Sequence, residues 1–178
     1  MKSRKSVPLI FPVFAVFALA VAMIITPVSL VSPASGQVPS DPIVVIVNGA
    51  NPVGNLSVSE LKKLFLSDRS RWDTGKAVAP VMVTPGSPER TAFLKIICGM
   101  NDGDFGKYFL QAAFTGKSAT PPKEVSSAAS VKNFVASSPG AIGFVKAGDF
   151  HGDGSDGGVK SVKVDGLSAS DPGYKLKM

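Results

Sequence analysis

The sequence predicts an α/β layer domain, a mainly parallel sheet flanked by helices, placed behind an export leader. Three observations carry this. Short apolar runs rich in β-branched residues, "PIVVIVN" (42–48) and "AVAPVMVT" (77–84), have the pattern of strands covered on both faces. Segments with helical apolar spacing fall between such runs, and strands alternating with helices are what a sheet with helical crossovers requires. The first 36 residues differ in composition from everything that follows.

That leader opens with Lys2, Arg4 and Lys5, continues through an almost wholly apolar stretch over 7–26, and ends in "SPASGQ". Ala34 and Gly36 are small residues suited to cleavage before Gln37. The apolar stretch also approaches the ~20 residues that span a bilayer. Two readings therefore stand for 1–36: a cleaved signal peptide, or an uncleaved N-terminal anchor. Both place one domain, 37–178, across the membrane, in the periplasm or outside the cell.

Within that domain, "SVSELKKLFL" begins with Ser57 and carries Glu60 three residues on, the spacing of a capping box. Val58, Leu61, Leu64 and Phe65 then share one helical face. "SDRSRWDTGK" reads as a loop, whose Trp72 either packs over the sheet edge beside the first helix or lines a binding surface, packing being the favoured reading. Phe93, Leu94, Ile96 and Ile97 carry a second helix that Gly99 ends. "NDGDFGKYFLQAAFTG" predicts a third, with Phe105, Tyr108, Phe109, Ala112 and Ala113 inward and Gly116 as its stop. "KEVSSAASVKNFVAS" (123–137) reads as a fourth helix. "SPGAIGFVKA" turns into a strand, "GDFHGDGSDGG" is a polar loop, and "VKSVKVDG" alternates as a last strand. Phe65, Phe93, Phe109 and Ile142 should share one core.

Several function classes drop out. Half of the net charge of +6 belongs to the leader, and what remains is too small and too dispersed for a nucleic-acid surface. Cys98, the only cysteine, lies in the apolar run "FLKIICGM" and reads as a buried small hydrophobe. One cysteine and one histidine argue against a zinc site and against Ser-His-Asp or Cys-His chemistry. The acidic spacing of "HGDGSDGG" is not that of a calcium loop. Glu60, Glu89 and Glu124 each sit in a helix-start context and form no acid/base pair. The reading is a non-enzyme, with no catalytic residue, cofactor or metal.

The stretch with most chemical content is "TPGSPERTAFLK" (84–95). Ser87 suits an N-cap, Pro88 the first helical position, and Glu89 the positive end of the dipole. Such a helix start also presents free N–H groups to an anion, and Arg90 adds a guanidinium suited to oxyanions. Both readings, a plain helix start and an anion site, account for the same residues. Lys117 in "FTGKSATPPK" offers a further cation from a loop, with Thr115 as a hydrogen-bond donor; its plainer role is to complement the end of the preceding helix.

Three segments taken together, "VIVNGANPVGNLSVSELKKLFLSDRSRW", "VMVTPGSPERTAFLK" and "SPGAIGFVKAGDF", resemble the periplasmic phosphate-binding proteins of ABC importers. The likeness is to the second lobe of that type II periplasmic-binding-protein fold and to its small, single-lobe-length relatives, and it runs over 43–174. It implies a single lobe that binds a small anion, phosphate first, in uptake or sensing. An ABC permease would be the partner, or a second copy would rebuild the cleft. Ser87 and Arg90 are the ligand residues that the resemblance implies, and Thr91 in the same turn and Lys117 from its loop complete the expected set. This sequence departs from the family's turn at Pro88 and Glu89, which replace a glycine and a threonine, and at Val83, where many members carry an arginine. Pro88 removes one N–H donor, and Glu89 sets a negative charge against the anion. The alternative function is an accessory protein-interaction module that keeps the lobe without the ligand.

Overall fold

The computed structural model describes residues 41–152 and 157–178. The expected leader, with its expected cleavage before Gln37, and part of the polar loop after Asp149 lie outside the described residues. The strands are β1 (Ile43–Asn48), β2 (Asn55–Leu56), β3 (Ala79–Val83), β4 (Lys123–Val125), β5 (Ala141–Lys146) and β6 (Val159–Val164). They form one six-stranded sheet in the order β2-β6-β1-β5-β3-β4. β1 pairs antiparallel with β5 and with β6, whereas β2 with β6, β3 with β5 and β3 with β4 pair parallel. Five strands thus run one way and β1 alone runs against them.

The side-chain period of two splits the sheet residues between two cores. Ile43, Val45 and Val47 of β1 join Met82, Ile142 and Phe144 on one face, under the helices α1 (Val58–Phe65), α2 (Pro88–Phe93) and α3 (Asp102–Phe114). Val44 and Ile46 join Val81, Val83 and Val145 on the other, under α4 (Ala128–Ser137) through Val131 and Val135. Phe65, Phe93, Phe109 and Ile142 fall in one core as expected. Its centre is aromatic: Phe93 stacks on Phe144 at 4.0 Å between centroids, and Phe65 meets Phe93 edge-on at 4.7 Å.

The glycines of "SPGAIGFV" have steric reasons. A Cβ at Gly143 would stand 2.7 Å from Val131 Cγ1 and 2.9 Å from Val81 Cγ1, so only glycine lets α4 lie this close to β5. A Cβ at Gly140 would overlap the Ala77 carbonyl, and the Gly140 carbonyl accepts the Trp72 indole N–H at 2.9 Å. Trp72 is accordingly buried, as its packing role predicts.

The capping box forms as read: Glu60 N–H bonds to the Ser57 hydroxyl, and the Glu60 carboxylate accepts from Ser57 N–H. Gly99 and Gly116 take positive φ after their helices. Other expectations are corrected. Residues 123–125 are the edge strand β4, and the helix placed over 123–137 begins only at Ala128, where the Ser127 hydroxyl accepts from Ser130 N–H. Glu124 is therefore on a strand, not at a helix start. Ala113 is exposed, and α2 continues into a π-helical turn, Leu94–Cys98, that buries Leu94, Ile97 and Cys98 together. Burial lifts the Cys98 thiol to about 11, which keeps it protonated and inert. The C-terminal segment has little regular structure yet closes the first core: Tyr174 and Leu176 are buried, Ile43 N–H bonds to Leu176 O, and the Tyr174 hydroxyl donates to Ile43 O.

Candidate functional site

All strands but β1 point their carboxyl ends to one edge of the sheet. There α2 leaves β3 onto one face while α4 leaves the neighbouring β4 onto the other. Helices that depart to opposite faces from adjacent parallel strands open a crevice, the usual place for a ligand in an open α/β sheet. The turn "TPGS" forms its lip: Thr84, Pro85 and Gly86 are exposed, and Gly86 takes a φ of 89°. Ser126 and Ser127 are exposed on the other side.

Ser87 occupies the N-cap position with extended backbone, and Pro88 follows in the first turn. Its hydroxyl caps nothing, however; the oxygen is buried and has no hydrogen-bond partner among the described residues. Unpaired buried polar atoms are uncommon, because leaving one unmade costs about 1–3 kcal/mol. Glu89, 8% exposed, adds a second such atom, Oε2, in the same turn. The Lys146 ammonium, from the end of β5, lies 3.6 Å from that oxygen.

Arg90 has a different place from the one the sequence suggested. It is 3% exposed, and its Nη1 donates to Val83 O at 2.8 Å and to Glu124 Oε1 at 2.7 Å. Its Nε donates to Asp102 Oδ1 at 2.5 Å, and the guanidinium carbon stands 5.8 Å from the centre of the Phe105 ring. One side chain thus ties α2 to the end of β3, to β4 and to the first turn of α3. The guanidinium meets protein carboxylates and is a clamp under the crevice.

Thr91 is exposed, and its hydroxyl bonds back to Ser87 O at 3.1 Å along its own helix. Lys117 does not join the turn. It lies beyond the far end of α3, whose thirteen residues span roughly 18 Å. There its ammonium bonds to Asp68 at 2.6 Å and to the Tyr108 hydroxyl at 2.8 Å, and those two bonds, Asp68 first, raise its pKa well above the ordinary lysine value. The structure therefore brings Ser87, Arg90 and Thr91 into one turn, leaves the buried Ser87 hydroxyl unpaired among the described residues, and sets Lys117 apart. Sequence reasoning missed Asp102, Glu124 and Lys146. These come from three other elements and meet only through the strand order, so no local pattern announces them.

No protein-family model matches the chain. Solved structures do. A substrate-binding protein assigned to phosphate ABC transport from Clostridium perfringens, with phosphate bound, superposes with a TM-score of 0.61 at 22% identity, covering 77% of this chain and 52% of its own. An ABC-type phosphate transport receptor from Vibrio cholerae gives 0.58 at 20% identity over 73% and 48%. PstS from Borrelia burgdorferi gives 0.61 at 12% identity over 77% and 54%. The described domain has the fold of these proteins over about half of their length.

Proposed function

We propose that this chain is an exported, non-enzymatic binding lobe that takes a small oxyanion, phosphate first, at the β3–α2 turn. The observation that supports this most is the Ser87 hydroxyl, buried and without a hydrogen-bond partner among the described residues at the start of α2. Glu89 refines the reading. Sequence alone makes its charge an opponent of an anion, but a buried carboxylate oxygen that makes no hydrogen bond among the described residues, its charge met by Lys146 at 3.6 Å, favours a ligand that brings an O–H. Hydrogen phosphate carries one; sulfate at neutral pH does not. The lobe likeness to phosphate receptors fits the same ligand, and an ABC permease or a second copy fits as partner.

Calorimetric titration of the full-length protein with phosphate and with sulfate tests this. Phosphate should bind and sulfate should bind more weakly. Ser87→Ala should weaken phosphate about fivefold, the worth of one hydrogen bond near 1 kcal/mol, and Glu89→Gln should narrow the preference over sulfate. Absence of heat with phosphate, at any concentration up to saturation of a millimolar-type site, sinks the proposal. Export is tested by sequencing the N-terminus of the exported protein: a start at Gln37 supports the cleaved leader, and intact Met1 in the membrane fraction supports the anchor.

The second reading, a protein-interaction module that kept the lobe, draws on two observations. Asp102 and Glu124 occupy Arg90, and α3 exposes Leu110 and Phe114 at 60% and 83%. Failure of phosphate to bind, with retention of a protein partner that Phe114→Ser abolishes, would favour it.

A further inference from the structure

At the opposite edge of the sheet, where β3 begins, the surface holds a pocket of about 400 Å³, within the ~300–1,000 Å³ range of small-molecule sites. Its walls are largely apolar: Leu64, Val78, Pro80, Pro121 and Phe134. Four hydroxyl residues, Ser67, Ser70, Ser118 and Thr120, stand among them, with two cations, Arg69 and Lys123, and no carboxylate among the described residues lines it. The balance is the reverse of the β3–α2 turn, where three carboxylates surround the cations.

The two cations are not equivalent. Arg69 is engaged by Asp73 at 2.6 Å and Glu60 at 3.7 Å. Lys123 is exposed, has no carboxylate partner among the described residues, and holds its ammonium 4.4 Å from the centre of the Phe134 ring. A charge poised over an aromatic floor is available to a ligand that brings both an anionic group and an apolar body.

The wall opposite is fastened. The loop after α3 is pinned to the end of α1 by the Lys117–Asp68 ion pair and by the Ser67 hydroxyl, which donates to Thr120 O. Ser67 itself takes a φ of 58°, a left-handed conformation that costs a non-glycine residue energy and persists only where surrounding contacts enforce it.

We propose that this pocket binds a small organic carboxylate with an apolar body, its carboxylate on Lys123 and the nearby hydroxyls, its body against Phe134 and the two prolines. The site is separate from the oxyanion turn and does not depend on it. The probe is 3-phenylpropionate, titrated calorimetrically into the full-length protein beside 3-phenylpropanol, which lacks the charge, and inorganic phosphate, which lacks the body. Saturable binding of 3-phenylpropionate is expected, with the alcohol at least tenfold weaker. Lys123→Met, an exposed position whose change spares the core, should lose at least tenfold in affinity. Ser118→Trp, a bulky change at an exposed lining residue, should abolish binding while the melting temperature holds. No saturable binding of 3-phenylpropionate overturns the proposal. So does equal affinity for the alcohol, displacement of 3-phenylpropionate by equimolar phosphate, or full affinity in Lys123→Met.

Discussion

Arg90 illustrates how one residue type serves two purposes that sequence cannot separate. In "SPERTAF" it reads as a guanidinium at a helix start, the chemistry of an oxyanion site; in three dimensions it meets Val83 O, Glu124 and Asp102. Those partners lie 7, 34 and 12 residues away, so no spacing rule reaches all of them. Arg90→Ala should therefore destabilise the protein in the absence of any ligand. Removing one member of a fully buried ion pair costs about 3–5 kcal/mol; with Glu124 and Asp102 partly exposed, about 2–4 kcal/mol is expected here. Thermal denaturation without phosphate is the measurement, and an unchanged midpoint would return Arg90 to the role of a free ligand cation. Ser87 is the reverse case. Its identity was legible as a cap, but that its hydroxyl would go unused could not be read, because capping depends on a rotamer and not on residue type.

At the scale of elements, what was legible followed periodicity and caps. Helix α1 announced itself through Ser57, Glu60 and the Leu61–Leu64–Phe65 face, and the capping box makes it sensitive to acid. The Ser57 N–H, then the Ser57 hydroxyl and more weakly Arg69, hold the Glu60 carboxyl below its ordinary value. Lys175 with Val58 N–H does the same for Asp165, and Ser168 through its amide and hydroxyl for Asp171. A carboxyl with a depressed folded-state pKa contributes stability above its unfolded value, about 4, and loses it as pH falls through the folded value. The melting temperature should hold from neutrality to about pH 5 and then fall, with a shallower acid slope in Glu60→Gln. A flat profile down to pH 3 would contradict this. β4 was missed because a three-residue edge strand carries no alternation and merges with the serine-rich start of α4. "PGAIGFV" was read as a turn and strand, whereas its sharper content is steric: Gly143→Ala drives a methyl into Val131 and Val81. Overpacking of that kind should cost about 1–3 kcal/mol, measurable as a lower denaturant midpoint with unchanged slope.

For the whole molecule, the parallel bias of the sheet was legible, while the reversal of β1 was not, since a strand buried on both faces looks the same in either direction. The irregular C-terminal segment likewise gave no periodic signal, although Leu176 completes a core. The larger consequence of the architecture concerns the crevice. The lip formed by Thr84, Pro85 and Gly86 is open to solvent, so an oxyanion held there has protein on one side and water on the other. Water on that side weakens every hydrogen bond to the ligand, and affinity from one lobe alone should be modest. A second surface that closes over the anion would exclude that water, and any such surface is stabilised by the ligand it helps to bind. If the second surface is another copy of the chain, phosphate should promote self-association, and its apparent affinity should tighten as protein concentration rises. Sedimentation velocity at several protein concentrations, with and without phosphate, is the direct measurement. A mass that shifts toward the dimer with phosphate but not with sulfate would assign the missing wall to a second copy. A mass unmoved by saturating phosphate would exclude that copy, and would assign the wall either to a different protein or to no protein at all.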